Sequence, residues 1–165
     1  MVKHLVYFGN HPTQGNGDHT KIGRTSNLYD RKNTMNTSYS EYGVNFEYLI
    51  YCETEEEESK IEKFLHIYFW MDSTTHYKNH TGGIEWFKRR YQLDEIKGAL
   101  QSGGFYNRII DDQNEIGELL KCYMDRYERE KEIYKKEMQK LNQEMMESKR
   151  NKNLTKRCLG ENIEI

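Results

Sequence analysis

Four side chains in this 165-residue sequence have the chemistry to act together on a phosphate: Tyr7, Lys21, Arg31 and Glu62. Tyr7 lies in the apolar and aromatic stretch KHLVYFGN, Lys21 in HTKIGRT, Arg31 eight residues past Gly23, and Glu62 in SKIEKFLHIYFWM. If the first two stretches are antiparallel strands, Tyr7 and Lys21 can share one face, and a helix leaving the second can fold Arg31 back over it. One phenol, two cations and one carboxylate would then surround a single patch. Phosphodiester hydrolysis requires such a set: a base for water, cations for the charge building on phosphorus, and a carboxylate to hold a divalent metal.

The elements that must position these groups can be read from pattern. GNHPTQGNGDH, which holds the only proline, reads as a hairpin loop. It lacks the GK[ST] ending of a phosphate loop. Ser26 can cap a helix through NLYDRKNTMN, and VNFEYLIYCE is a strand by its aromatic and β-branched content. Thr54 and Glu57 match a capping box, ahead of a helix in which Ile61, Phe64, Leu65, Tyr68 and Phe69 recur at helical spacing. DSTTHYKNHTGG then reads as a loop, IEWFK as a short strand, and LDEIKGALQ as a helix closed by Ser102-Gly103-Gly104. His76 and His80 are four apart, but the surrounding Asn and Gly favour a loop over a zinc-binding helix.

In order along the chain, VYF at 6–8, KIGRT at 21–25, Arg31, IEKFLHIYF at 61–69 and EWF at 85–87 resemble the motifs of the GIY-YIG nuclease superfamily. The resemblance is to the phage and large-DNA-virus branch, where the second motif commonly reads K-I-G, and it covers about residues 3 to 90. It implies an α+β fold, a small three-stranded antiparallel sheet flanked by helices, and metal-dependent cleavage of a DNA phosphodiester, with RNA as the alternative substrate. Tyr7 would act as general base or orient the attacking water, and Lys21, standing where the second tyrosine usually is, would put a positive charge beside it. Gly23 would keep an approach path open, and Arg31 would hold two phosphate oxygens in its planar fork. Glu62 would hold Mg2+ or Mn2+, whose remaining shell is mostly water. Arg24, His66 and Glu85 are candidate helpers, and Lys32, Lys88, Arg89 and Arg90 are candidate contacts to the DNA backbone. The first motif here has no leading glycine and the second tyrosine is absent.

Each residue also has an ordinary reading. A strand tyrosine is usually packing, Arg31 alone can pair on the surface with Asp30 or Glu41, a helix glutamate such as Glu62 is usually exposed, and a histidine such as His66 is commonly bonded to backbone. A binding module without catalysis, assembling through its C-terminal helix, is therefore the competing expectation.

Beyond residue 105 the character changes. Residues 114–149 are rich in Glu, Lys, Met and Gln, with Leu120, Tyr123, Tyr127, Tyr134, Met138, Leu141 and Met145 in a heptad-like stripe that slips once after Tyr134. This predicts one long helix, on the order of 50 Å, pairing as a homo-oligomer, a dimer, through residues 115–148. The expected organisation is thus a nuclease-like domain over 1–105, a coiled-coil helix over 106–149 and a disordered tail over 150–165.

Net charge is −2 with 32% charged residues, and no apolar run is long enough to span a bilayer, so no membrane partner is expected. The absence of a signal-like stretch leads to an intracellular expectation. Cys52, Cys122 and Cys158 are odd in number and widely spaced, which fits neither a disulfide framework nor a zinc site. Charge is segregated: residues 1–40 carry five Lys or Arg against two Asp, and residues 53–58 hold five acids.

Overall fold

A computed structural model describes residues 4–12, 14, 17–39, 44–73 and 86–158. Its centre is β1 (His4–Asn10), in which Leu5, Val6, Tyr7 and Phe8 are all fully buried. A strand covered on both faces needs apolar side chains in both directions, which is why this stretch is continuous rather than alternating. β2 (Thr20–Thr25) and β3 (Asn45–Cys52) pair antiparallel with its two edges.

Two dipeptides, β4 (Trp86–Phe87) and β5 (Ile109–Ile110), extend the sheet to five strands in the order β4-β2-β1-β3-β5. This corrects the expected three-stranded sheet. Two residues carry no periodicity, and β5 exists only because Ile109 and Ile110 meet Ile50 and Leu49 across the sheet edge.

Helices cover both faces. Val6, Phe8, Ile22 and Ile50 pack against Ile61 and Leu65 of α2 (Glu55–Tyr68) and Ile96 and Leu100 of α3 (Leu93–Ser102). Leu5, Tyr7 and Leu49, one residue out of phase, pack against Leu28 and Met35 of α1 (Leu28–Tyr39) and Ile116 and Tyr123 at the start of α4 (Gln113–Cys158). The two-residue period of a strand thus sorts one apolar run into two cores.

The caps are side-chain devices. The Thr54 hydroxyl accepts from Glu57 N–H at 3.1 Å, as the capping box predicts, while the Glu57 carboxylate reaches back to Glu53 N–H at 2.7 Å. α1 is capped by Asn27 instead of Ser26: the Asn27 Oδ1 accepts from Tyr29 and Asp30 N–H, at 3.1 and 3.2 Å. The Thr25 hydroxyl, bonded to both backbone groups of Asn27, occupies the turn and moves the cap one residue on.

The chain divides into two compact units, Met1–Tyr123 and Met124–Ile165. The first runs past residue 105, since β5 joins the sheet and Ile116 and Tyr123 bury in its core. In the second, α4 is helical to Cys158, so residues 150–158, expected as part of a disordered tail, belong to the helix. His76, His80 and Glu85 lie outside the described residues. Among the described residues no helix is long and apolar enough to cross a membrane.

Candidate functional site

The pairing of β1 with β2 sets Tyr7 opposite Gly23 and Gly9 opposite Lys21, which puts Tyr7 and Lys21 on the same face of the sheet. Tyr7 is fully buried and lies across β2: a Cβ built on Gly23 would stand 2.5 Å from the Tyr7 Oη and 2.7 Å from its Cζ. Gly23 is therefore required by the phenol itself. The Arg31 guanidinium, carried over this face by α1, sits 5.7 Å from the centre of the Tyr7 ring, within cation–π range. Lys21 is 3% exposed, with its Nζ 5.7 Å from the Trp86 ring on β4. Three of the four predicted residues, Tyr7, Lys21 and Arg31, thus come to one face of the β1–β2 hairpin.

Glu62 reaches this hairpin through Arg24. By alternation Arg24 points to the opposite face from Lys21 and Gly23, where α2 packs. Its guanidinium lies 3.3 Å from a Glu62 oxygen, 3.7 Å from Glu58 and 3.8 Å from Glu55. The Arg24 backbone carbonyl accepts from Arg31 at 3.0 Å. Arg24, a candidate helper in the sequence, joins Arg31 to Glu62 through its two ends.

Sequence reasoning missed Glu58. It is 3% exposed, accepts from Leu5 N–H at 3.1 Å and lies 3.7 Å from His4 Nδ1. Such burial is sustained by the backbone hydrogen bond and the Arg24 guanidinium. A signal was present: Glu58 stands three and seven residues before Ile61 and Leu65, on the buried stripe of the helix, where an acid is out of place.

Beside these arginines opens a cleft of about 520 Å³ at the β2–α1 junction, lined by His4, Arg24, Asn27, Arg31, Glu55 and Glu58 among others. Tyr7, Lys21 and Glu62 are not among its lining residues. His66 binds the Ile22 carbonyl through Nε2 at 3.0 Å, the backbone role that the ordinary reading gave it. In the basic run, Arg89 bonds Asp72 at 3.0 Å and Glu95 at 2.6 Å, and Arg90 pairs with Glu47. Lys88 is exposed, and Lys32 is half-buried on α1. Cys52 is buried and its thiol is pushed up to about 12 by that burial, with Glu57 and Glu58 adding to the effect. It is an inert core thiol.

Among the described residues no group of three or more His, Cys, Asp or Glu is placed to hold a metal. Glu62, with Glu55 and Glu58 near the same Arg24 guanidinium, offers the hard carboxylate oxygen that Mg2+ prefers, and an ion whose shell is completed by water and phosphate needs no more than one or two carboxylates. The donor chemistry therefore fits, with the Arg24 guanidinium as the competitor for that oxygen.

The T5orf172 domain matches residues 4–102 of the sequence. The chain belongs to the T5orf172 domain family. This domain is associated with phage and viral nuclease-like proteins, and its match over residues 4–102 suggests a nuclease-like or DNA-binding module. Tyr7, Lys21, Arg24, Arg31, Glu58 and Glu62 all fall inside the T5orf172 domain, while β5 and α4 follow it. No curated protein and no solved structure matches the chain significantly.

Proposed function

We propose that the T5orf172 domain of this chain is a GIY-YIG-type endonuclease that hydrolyses DNA phosphodiester bonds. The observation that carries the reading is the convergence of Tyr7, Lys21 and Arg31 on one face of the β1–β2 hairpin, with Glu62 linked to Arg31 through Arg24. In this reading Arg31 turns its fork to two oxygens of the scissile phosphate at the rim of the cleft and stabilises the charge that grows there. Tyr7, with its hydroxyl over Gly23, orients the attacking water or takes its proton. Lys21 supplies a cation on the same face, and Glu62 holds Mg2+ or Mn2+. The metal, when bound, contributes Lewis-acid stabilisation of the phosphate. The domain would occupy residues 1–105 with its extension to Tyr123, and Lys32 and Lys88 would add backbone contacts.

A second reading has its own support. Tyr7 is fully buried, Lys21 is 3% exposed and Glu62 is held by Arg24, an arrangement that suits a domain that binds nucleic acid without cutting it. The two are separated by incubating the purified chain with supercoiled plasmid, and in parallel with single-stranded RNA, in Mg2+ or Mn2+. The nuclease reading expects nicking that Glu62→Ala abolishes. Retention of DNA in a gel shift, with no cleavage by wild type and unchanged binding by Glu62→Ala, supports the binding module instead.

A further inference from the structure

We propose that α4, from Met124 to Lys149, pairs with a second copy of the chain as a parallel, in-register, two-stranded coiled coil. The heptad stripe read from the sequence slipped because it counted Tyr123. That residue is 2% exposed in the core of the first unit. Without it the repeat runs unbroken: Met124, Lys131, Met138 and Met145 fall at a, and Tyr127, Tyr134, Leu141 and Ser148 at d. Tyr134, Met138, Leu141 and Met145 expose between 39% and 64% of their surface within one chain and form an apolar seam, with Ile133 and Met146 the exposed apolar residues beside it.

The flanking charges choose the occupant and its direction. The g positions are Glu130, Glu137 and Glu144, and two of the e positions that follow them by five residues are Lys135 and Lys149. In a parallel, in-register pair of identical helices each g residue faces the e residue five places on in the other copy. Glu130 then meets Lys135 and Glu144 meets Lys149, twice each by symmetry, while Glu137 meets the neutral Asn142. An antiparallel pair sets g against g, where all three residues are glutamate. The contacts that hold these acids within one chain, Arg126 to Glu130 at 2.5 Å and Lys140 to Glu144 at 3.9 Å, are exposed pairs one helical turn apart and weak enough to be shared.

Lys131 fixes the register. A single lysine at an a position costs stability but penalises staggered and higher-order packings, where its ammonium would be buried among Met and Tyr. In one chain its Nζ already lies 6.0 Å from the centre of the Tyr127 ring, the d residue one turn before it. The proposal is independent of what the T5orf172 domain does.

The test uses the full chain with Cys122→Ser and Cys158→Ser, into which Ser148→Cys (d, facing its own copy) or Gln143→Cys (f, facing outward) is placed. Under mild oxidation Ser148→Cys should cross-link at least tenfold faster than Gln143→Cys, and sedimentation at tens of micromolar should give a dimer mass. Glu130→Lys with Glu144→Lys should weaken the dimer roughly tenfold or more. Mixing that variant with Lys135→Glu/Lys149→Glu should restore pairing as a heterodimer. A monomer or trimer mass, equal cross-linking at the two positions, or no rescue on mixing overturns the proposal.

Discussion

At the scale of single residues, the closest approach in the site is between Tyr7 and Gly23. A methyl group at 23 would fall inside the phenol, 2.5 Å from its oxygen, so Gly23→Ala should destabilise the fold by about 1–3 kcal/mol in urea titration. In a Tyr7→Leu background, where the ring is gone, the same substitution should cost clearly less. Equal costs in the two backgrounds would show that Gly23 serves something other than the tyrosine. The residue scale is also where sequence reading was most uneven. Tyr7, Lys21 and Arg31 were legible because strand parity and the following helix dictate their common face. Arg24 was legible only as a helper, and Glu58 only as an acid on a buried stripe; the contact between them joins β2 to α2 across thirty-four residues of sequence, which no local pattern records.

At the scale of elements, α1 carries Arg31 to the hairpin, and its first turn is set by Asn27. Asn27→Ala should cost about 1 kcal/mol of stability and Ser26→Ala less than about 0.5, a contrast readable by thermal or urea melts. The reverse order would return the cap to Ser26. Helices α2 and α3 were readable from their capping residues and apolar spacing, since those signals are local. The short strands β4 and β5 were harder: two residues acquire strand geometry only from the edge they pair with, and Ile109-Ile110 gives no sign of β3 in its own sequence. The boundary of the first unit moved for a related reason. Tyr123 looks like part of the heptad stripe, yet it packs with Ile116 in the core under the sheet.

At the scale of the whole molecule, two buried acids make the fold sensitive to alkali. The Cys52 thiol is pushed up to about 12 by burial and by Glu57 and Glu58, and burial with Asp72 also raises the Tyr91 phenol. Both groups hold their protons more tightly folded than unfolded. Their contribution is therefore complete below the unfolded value of about 9 for the thiol and is lost as pH climbs from there toward 12. Urea midpoints should fall over that window, and Cys52→Ala should flatten the fall; an identical slope in the variant would assign the alkaline loss elsewhere. The central claim, however, concerns the phosphate chemistry of the T5orf172 domain, and it is tested most directly by single-turnover nicking of plasmid DNA in Mn2+ with wild type, Arg31→Ala and Tyr7→Phe. All three should show the same circular dichroism, and the nuclease reading predicts that Arg31→Ala and Tyr7→Phe cut at least about a hundredfold more slowly than wild type. Cutting at the wild-type rate by either folded variant would contradict it.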